Sequence, residues 1–256
     1  MKPILLSYAG LDPSAGAGIL ADFAVFEHLG CRGMAVATAL TAQNSRTVSD
    51  WQLVGGDLLK GQLKAIWDDF SLAGLKSGML GSLEAVQVLA EQLEEEPLPH
   101  FILDPVLVSS SGRPMLTPEA QEEMVKRLFP LADLITPNLP ELEALTGLTP
   151  QTEEEFAQAG AALLALGPKA VLIKGGHAPG QATDRLYSHD ATHRFSSPRL
   201  SGASPHGTGC HLSSAILAYL AQGRSLPDAV DQAKCLLQGW IANAAPLGQG
   251  KPYLHI

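Results

Sequence analysis

Short apolar runs that stop abruptly at polar or glycine residues, each followed by a segment of helical spacing, recur along this chain and restrict it to few architectures. Residues 4–9 lead into the loop Gly10-Leu11-Asp12-Pro13-Ser14-Ala15-Gly16-Ala17-Gly18 and then a helix over 19–29. Residues 33–40 stop at Thr41-Ala42-Gln43-Asn44 ahead of a helix over 56–70, and a weak strand at 75–79 precedes a helix over 83–94. The run 101–103 stops at Asp104-Pro105, after which Thr117 and Pro118 supply an N-cap and a first helical residue. Residues 132–136 stop at Pro137-Asn138 before a short helix over 141–145, and Thr152 with Glu155 makes a capping box for a helix over 152–166. The β-branched run 169–173 ends at Lys174-Gly175-Gly176-His177. A peripheral hairpin is expected at 185–187 and 194–195 around His189-Asp190, and helices from Cys210 and Pro227 close the chain.

Strands alternating with helices predict an α/β fold of three layers, α/β/α, with a mostly parallel central sheet and that small hairpin at its periphery. No linker or low-complexity tract interrupts the pattern, so one domain over 1–256 is expected. With 46% hydrophobic residues the chain can bury a sizeable core, and a net charge of −9 argues against a nucleic-acid surface. Cys31, Cys210 and Cys235 are odd in number, far apart and without a CxxC spacing, which suggests neither a disulfide framework nor a zinc site and fits a reducing cytoplasm. The opening apolar run is too short for a signal peptide and no segment is long enough to span a bilayer, so a cytoplasmic protein with no membrane partner is expected.

In sheets of this kind ligands sit beyond the carboxyl ends of the strands. Asp12, Gln43, Met79, Asp104, Asn138, Glu141 and Lys174 all fall there and are expected to converge on one cleft. The stretch 204–214, from Ser204 through Pro205-His206-Gly207-Thr208-Gly209-Cys210, runs straight into an apolar helix. The free N–H groups and dipole of a helix start favour a phosphate, and Gly207 and Gly209 let the backbone approach it. A thiol at that place has its thiolate stabilised, so Cys210 is a candidate base or nucleophile with its pKa expected to fall. Gly-Thr-Gly before a helix can also be only a tight turn, and a buried Cys only packing.

Lys174, with Gly175-Gly176 clearing space beside its ammonium, reads as a phosphate contact, or else as an edge charge. Asp104 and Glu141, as a pair at strand ends, suit Mg²⁺, a hard ion held by few carboxylates, or else they are caps and solvated loop charges. His177, His206 and His211 lack a metal-site spacing and read as loop or supporting residues, while Cys31 and Cys235 read as structural. Gly16-Ala17-Gly18-Ile19-Leu20-Ala21 matches a loose dinucleotide pattern, G-x-G-x-x-A. It lacks the acidic residue that should close the second strand and hold a ribose, so a nicotinamide oxidoreductase is disfavoured.

Ala9-Gly10-Leu11-Asp12-Pro13-Ser14-Ala15-Gly16-Ala17-Gly18-Ile19-Leu20-Ala21-Asp22, Thr41-Ala42-Gln43-Asn44, Asp104-Pro105-Val106, Thr136-Pro137-Asn138-Leu139-Pro140-Glu141, Lys174-Gly175-Gly176-His177 and His206-Gly207-Thr208-Gly209-Cys210 occur in one order. Together they resemble the hydroxymethylpyrimidine and phosphomethylpyrimidine kinases of thiamine biosynthesis, a branch of the ribokinase-like superfamily, over nearly the whole chain. The resemblance implies ATP-dependent phosphorylation of 4-amino-5-hydroxymethyl-2-methylpyrimidine and of its monophosphate, with ATP and Mg²⁺ as cofactors. It implies that Asp22, Gln43, Met79 and Val106 line the pyrimidine pocket, and that Asn138, Glu141 and Lys174 serve phosphates and magnesium. Gly207, Thr208, Gly209 and Cys210 would form the anion hole, Asp104 would sit near the transferring phosphate, and Cys210 would be the general base. Gln43 also suits the ligand on chemical grounds, because a carboxamide offers one donor and one acceptor to an aminopyrimidine edge, although it could instead tie down its own loop. Leu11, Pro205 and His211 depart from residues common in that family. Pyridoxal kinase is the nearest competing activity and a non-catalytic ligand-binding protein a further one. A small-molecule substrate, no nucleic acid and a homodimer complete the expectation.

Overall fold

The computed structural model describes residues 1–108, 112–176, 181–200 and 205–256. His177 and Ser204, each at the end of a motif above, lie outside the described residues. The elements in chain order are β1 (Ile4–Leu11), α1 (Gly18–His28), β2 (Arg32–Gln43), β3 (Val48–Leu53), α2 (Gly56–Trp67), β4 (Gly74–Ser77), α3 (Leu83–Glu95), β5 (Phe101–Leu103) and α4 (Pro118–Glu123). They continue with β6 (Leu134–Ile135), α5 (Leu139–Thr146), α6 (Glu153–Leu164), β7 (Ala170–Ile173), β8 (Ala182–Ser188), β9 (Thr192–Ser197), α7 (Thr208–Ala221) and α8 (Leu226–Ala242). The strands form one sheet in the order β3-β2-β1-β4-β5-β6-β7-β8-β9. From β2 to β7 every pairing is parallel, and antiparallel strands border both sides.

Side chains of a strand alternate between faces, and here that alternation sorts the core into two layers. Leu6, Tyr8, Phe101, Leu103, Ile135, Val171 and Ile173 point into one buried cluster with α2, α3, α4 and α6. Leu5, Ile102, Leu134, Ala170 and Leu172, their immediate neighbours in sequence, point into the other, with α1, α7 and α8. Both faces are covered, so the central strands read as unbroken apolar runs. Each fully buried Leu or Ile contributes about 1.5–3 kcal/mol of transfer free energy, enough to hold β5 and β6 in place although they are only three and two residues long.

The expected caps are present. Thr117 accepts from the Ala120 N–H, and Thr152 and Glu155 complete a reciprocal capping box on α6. Other elements depart from expectation. The segment before α2, to which the sequence pattern assigns no element, contains β3, which pairs antiparallel with β2. Its burial alternates weakly because it borders the sheet, and Arg113 stacks over Trp51 there with the guanidinium 4.0 Å from the ring centroid. The helix opened by Thr117 stops after Glu123 and widens into a π turn over Met124–Leu128, then a 3₁₀ turn over Phe129–Leu131. The hairpin at 182–197 is longer than expected and continues the main sheet beyond β7. Cys31 is buried, as expected of a packing residue, whereas Cys235 is exposed on α8.

Candidate active site

The parallel strands all deliver their carboxyl ends to one side of the sheet, and a cavity of about 490 Å³ opens there. Asp12 follows β1, Gln43 ends β2, Met79 follows β4, Asp104 follows β5, Asn138 and Glu141 follow β6, and Lys174 follows β7. All seven line this cavity, so the expected convergence occurs. Val106 lines it too, as do Lys76, His206 and the backbone of Gly207, Thr208, Gly209 and Cys210. A second cavity of about 460 Å³ lies on the other side of α7's first turn, between β8 and α8, bordered by Asp184, Arg199, Lys234 and Gln238. The two cavities share Asn138, Lys174, Pro205, Thr208 and Gly209.

The turn between them is built from conformational need. Gly207 is the N-cap of α7 in the left-handed region, φ 73°, and a Cβ there would collide with the carbonyl oxygen of Gly16. Gly175 is similarly obliged, since a Cβ would collide with the Thr183 carbonyl, and its N–H donates to Asp184 Oδ1 at 2.7 Å. His211 stabilises the same turn: its Nδ1 lies 2.8 Å from the Gly207 carbonyl oxygen, and its ring meets Trp240 edge to face.

Charge at the shared wall is arranged around Lys174. Its Nζ donates to Asp104 Oδ1 at 2.7 Å and lies 4.0 Å from Glu141 Oε2, with the ammonium largely buried. Burial opposes the charged lysine, but Asp104 and Glu141 outweigh it and raise its pKa. Burial also works against Asp104 ionising, yet Lys174, Lys76 and the bonds from Lys174 and Thr136 hold its carboxyl below the usual range. Glu141 goes the other way: burial pushes it up to about 7, Asp104 adds to that, and Lys174 opposes it. The Asn138 side chain caps α5 by accepting from the Glu141 N–H, and Glu141 Oε2 accepts from the Asn138 N–H at 2.8 Å. Lys174 is therefore no edge charge, and Asp104 is no solvated loop residue. Among the described residues no three His, Cys, Asp or Glu side chains cluster as an all-protein metal cage.

Cys210 lies in the first turn of α7, and the Gly18 N–H at the start of α1 acts to lower its thiol pKa. The expected fall in its pKa is not what results. Burial pushes the thiol up, Lys76 pulls it down, Asp22 and Asp104 push it up again, and the Gly18 N–H is too weak to reverse the sum.

Two further expectations are corrected in detail. Asp22 does not line the strand-end cavity: it is fully buried and accepts from Ser7 Oγ at 2.6 Å, Ser214 Oγ at 2.8 Å and Lys76 Nζ at 3.0 Å. Gln43 lines the cavity, but its donor half is engaged inside the protein. Its Nε2 donates to Asp12 Oδ2 at 3.0 Å and lies 2.8 Å from His206 Nε2, while among the described residues Oε1 has only Thr41 Oγ1 at 3.4 Å. The acceptor oxygen is thus what Gln43 retains for a ligand. His206 Nε2 also lies 2.9 Å from Asp12 Oδ2, and although burial works against ionisation, His206 and the bonds from the Ser14 hydroxyl and N–H hold the Asp12 carboxyl below its usual range. Lys76 is the site residue that sequence reasoning passed over, whereas His206, read as a loop or supporting residue, lines the cavity against Asp12 and Gln43. The signal for Lys76 was present as a lone lysine inside the run 75–79; for His206 only its adjacency to Gly207 pointed inward.

The phosphomethylpyrimidine kinase family profile matches residues 12–255. A hydroxymethylpyrimidine/phosphomethylpyrimidine kinase of Aquifex aeolicus is 42% identical, over 96% of this chain and 97% of its own. Among solved structures, a phosphomethylpyrimidine kinase of Clostridium difficile 630 superposes with a TM-score of 0.83 at 38% identity, covering 93% of this chain and 99% of its own. The pyridoxal kinase of Staphylococcus aureus in complex with AMP-PCP superposes with a TM-score of 0.91 at 31% identity, over 99% of this chain and 93% of its own.

Proposed function

The chain belongs to the phosphomethylpyrimidine kinase family, and on that premise we propose that it transfers the γ-phosphoryl group of ATP to the hydroxymethyl oxygen of 4-amino-5-hydroxymethyl-2-methylpyrimidine, and then to the resulting monophosphate. One observation carries this reading: two cavities meet at a shared wall of Lys174, Thr208 and Gly209, as a donor and an acceptor in direct transfer require. The nucleotide takes the cavity beside α8 and the pyrimidine the cavity at the strand ends.

Phosphoryl transfer asks a protein for positioning and for charge where the phosphoryl group passes. Lys174 supplies that charge, and the N–H groups of Gly207, Thr208 and Gly209 receive the phosphate oxygens at a helix start. Asn138 borders both cavities beside Lys174 and holds Glu141 in place through the α5 capping box. The substrate oxygen forms a bond to phosphorus as the bond to the β-phosphate oxygen breaks, and the hydroxyl proton passes to Cys210 Sγ. A raised thiol pKa makes the thiolate scarcer but a better proton acceptor, and a largely dissociative transition state needs that proton removed only as the new bond forms. Met79 and Val106 pack the pyrimidine, and the Gln43 oxygen accepts from its exocyclic amine.

Asp104 and Glu141 fit magnesium. Mg²⁺ is ordinarily held by one or two carboxylates together with substrate phosphates, and these two acids flank Lys174 at the shared wall. When bound, the ion neutralises phosphate charge, and its presence would favour ionised Glu141. The reading is tested by following ADP formation with the aminopyrimidine alcohol, its monophosphate and pyridoxal as acceptors. The two pyrimidines are expected to turn over faster than pyridoxal; faster turnover of pyridoxal would transfer the assignment to that ring.

A further inference from the structure

Beneath the anion-binding turn lies a charged pair that the reading above does not use. Asp22 of α1 and Lys76 of β4 are both fully buried, and the Lys76 Nζ is 3.0 Å from each Asp22 carboxylate oxygen. The remaining acceptor sites of Asp22 are filled by Ser7 of β1 and by Ser214, one helical turn after Cys210 on α7. Four elements are thus joined to one carboxylate. A buried ion pair is usually no more stabilising than well-packed apolar residues of similar volume, so packing alone is a weak reason for it. The ammonium is also placed for use. An ammonium has three N–H groups, two are aimed at Asp22, and among the described residues no other hydrogen-bond acceptor for Nζ is recorded. Lys76 borders the acceptor cavity, as does Cys210, and a Cβ on Gly78 would come within 3.0 Å of Nζ, so the absence of a side chain there leaves the head group its room.

We infer that Lys76 is a positioning residue for phosphoryl transfer: held in place by Asp22, its ammonium stabilises the negative charge that develops at the Cys210 sulfur when the thiol is ionised. This rests on the reading of Cys210 as the proton acceptor. The groups that bear on Cys210 are Lys76 from β4, Asp22 from α1, Asp104 after β5, Lys174 after β7 and the N–H of Gly18. Lys76 is the strongest of them favouring the thiolate, and Asp22 is the stronger of the two carboxylates opposing it. A merely structural pair and an electrostatic one therefore make different predictions. Removing either partner breaks the same contact, but only the electrostatic role makes the two removals act on Cys210 with opposite sign.

The test is the pH dependence of Cys210 alkylation by iodoacetamide, followed by peptide mass spectrometry in a Cys235→Ser background that removes the exposed thiol. It needs no substrate, so its outcome is independent of which acceptor the enzyme phosphorylates. Lys76→Met should raise the pH of half-maximal alkylation by about one unit or more, and Asp22→Asn should lower it. Should either single variant fail to fold, Asp22→Asn/Lys76→Met leaves no unpaired buried charge and should still shift the midpoint upward, by less than Lys76→Met alone. Midpoints that overlay the parent's, or single variants that both shift the same way, would overturn the inference.

Discussion

Lys174 and Lys76 are both ammonium groups taken out of water beside the same cavity, and they meet that cost in different ways. Lys174 stands at a strand's end against two carboxylates, only one of them at hydrogen-bond distance, where the two cavities meet. Lys76 sits inside a strand with one carboxylate bound by both oxygens and no exposure. The first is a charge that can turn toward an incoming phosphate, because Asp104 and Glu141 compete for it. The second is fixed and can act only through its field. A loosely shared cation suits a group that is transferred, and a locked one suits a group that stays.

That contrast can be broken at three points. The largest effect is expected at Cys210, where the Ala variant should lose roughly 10²–10⁴-fold in turnover if its sulfur accepts the proton. Because burial raises this thiol, parent turnover should climb with pH from neutrality upward, following the thiolate. Cys210→Asp should recover part of the activity with that climb removed, since a carboxylate is already ionised there. An Ala variant with the parent's turnover and pH profile would leave Lys76 nothing to act on. Next, Lys174→Ala should lower turnover by roughly 10²–10³-fold while binding of the pyrimidine, measured by calorimetry, is largely kept. Loss of pyrimidine binding instead would show that Lys174 is as structural as Lys76 is buried.

The smallest effect concerns Glu141 and is read in stability. Its folded pKa of about 7 lies above the ordinary carboxylate value, so the native state holds a proton that the unfolded chain has released. Stability should therefore fall as pH rises between about 4.5 and 7 in the absence of nucleotide and magnesium. Glu141→Gln, which cannot ionise, should flatten that fall and be about 1–3 kcal/mol more stable than the parent at pH 8 by denaturant unfolding. Parallel stability curves for the two proteins would mean that burial does not raise the Glu141 carboxyl and that it is already ionised without a cation.

The same contrast explains what could be read from the sequence. Lys174 was legible because it follows an apolar run and precedes Gly175-Gly176, so its place at a strand end and its clearance were both written locally. Lys76 was not, because a lysine within a short weak strand looks like an interruption until Asp22, 54 positions away, is seen to hold it. Asp22 was misassigned to the pocket for the matching reason: nothing in residues 16–22 reveals that Ser7, Lys76 and Ser214 fill its oxygens. The parallel sheet was legible from apolar runs of fixed period. β3 was not, since Val48, Ser49, Asp50, Trp51, Gln52 and Leu53 carry no clear alternation and are strand through pairing with β2. Gln43 was legible as a pocket residue, but the engagement of its nitrogen by Asp12 and His206 depends on long-range contacts that no local pattern records.

Direct transfer between two adjoining cavities is most simply tested by ³¹P NMR of the protein with MgATP and 4-amino-5-hydroxymethyl-2-methylpyrimidine. The account predicts a phosphomonoester of the pyrimidine appearing one for one with ADP, followed by the diphosphate ester as the monophosphate is consumed. ADP accompanied by inorganic phosphate, with no phosphorylated pyrimidine, would contradict it.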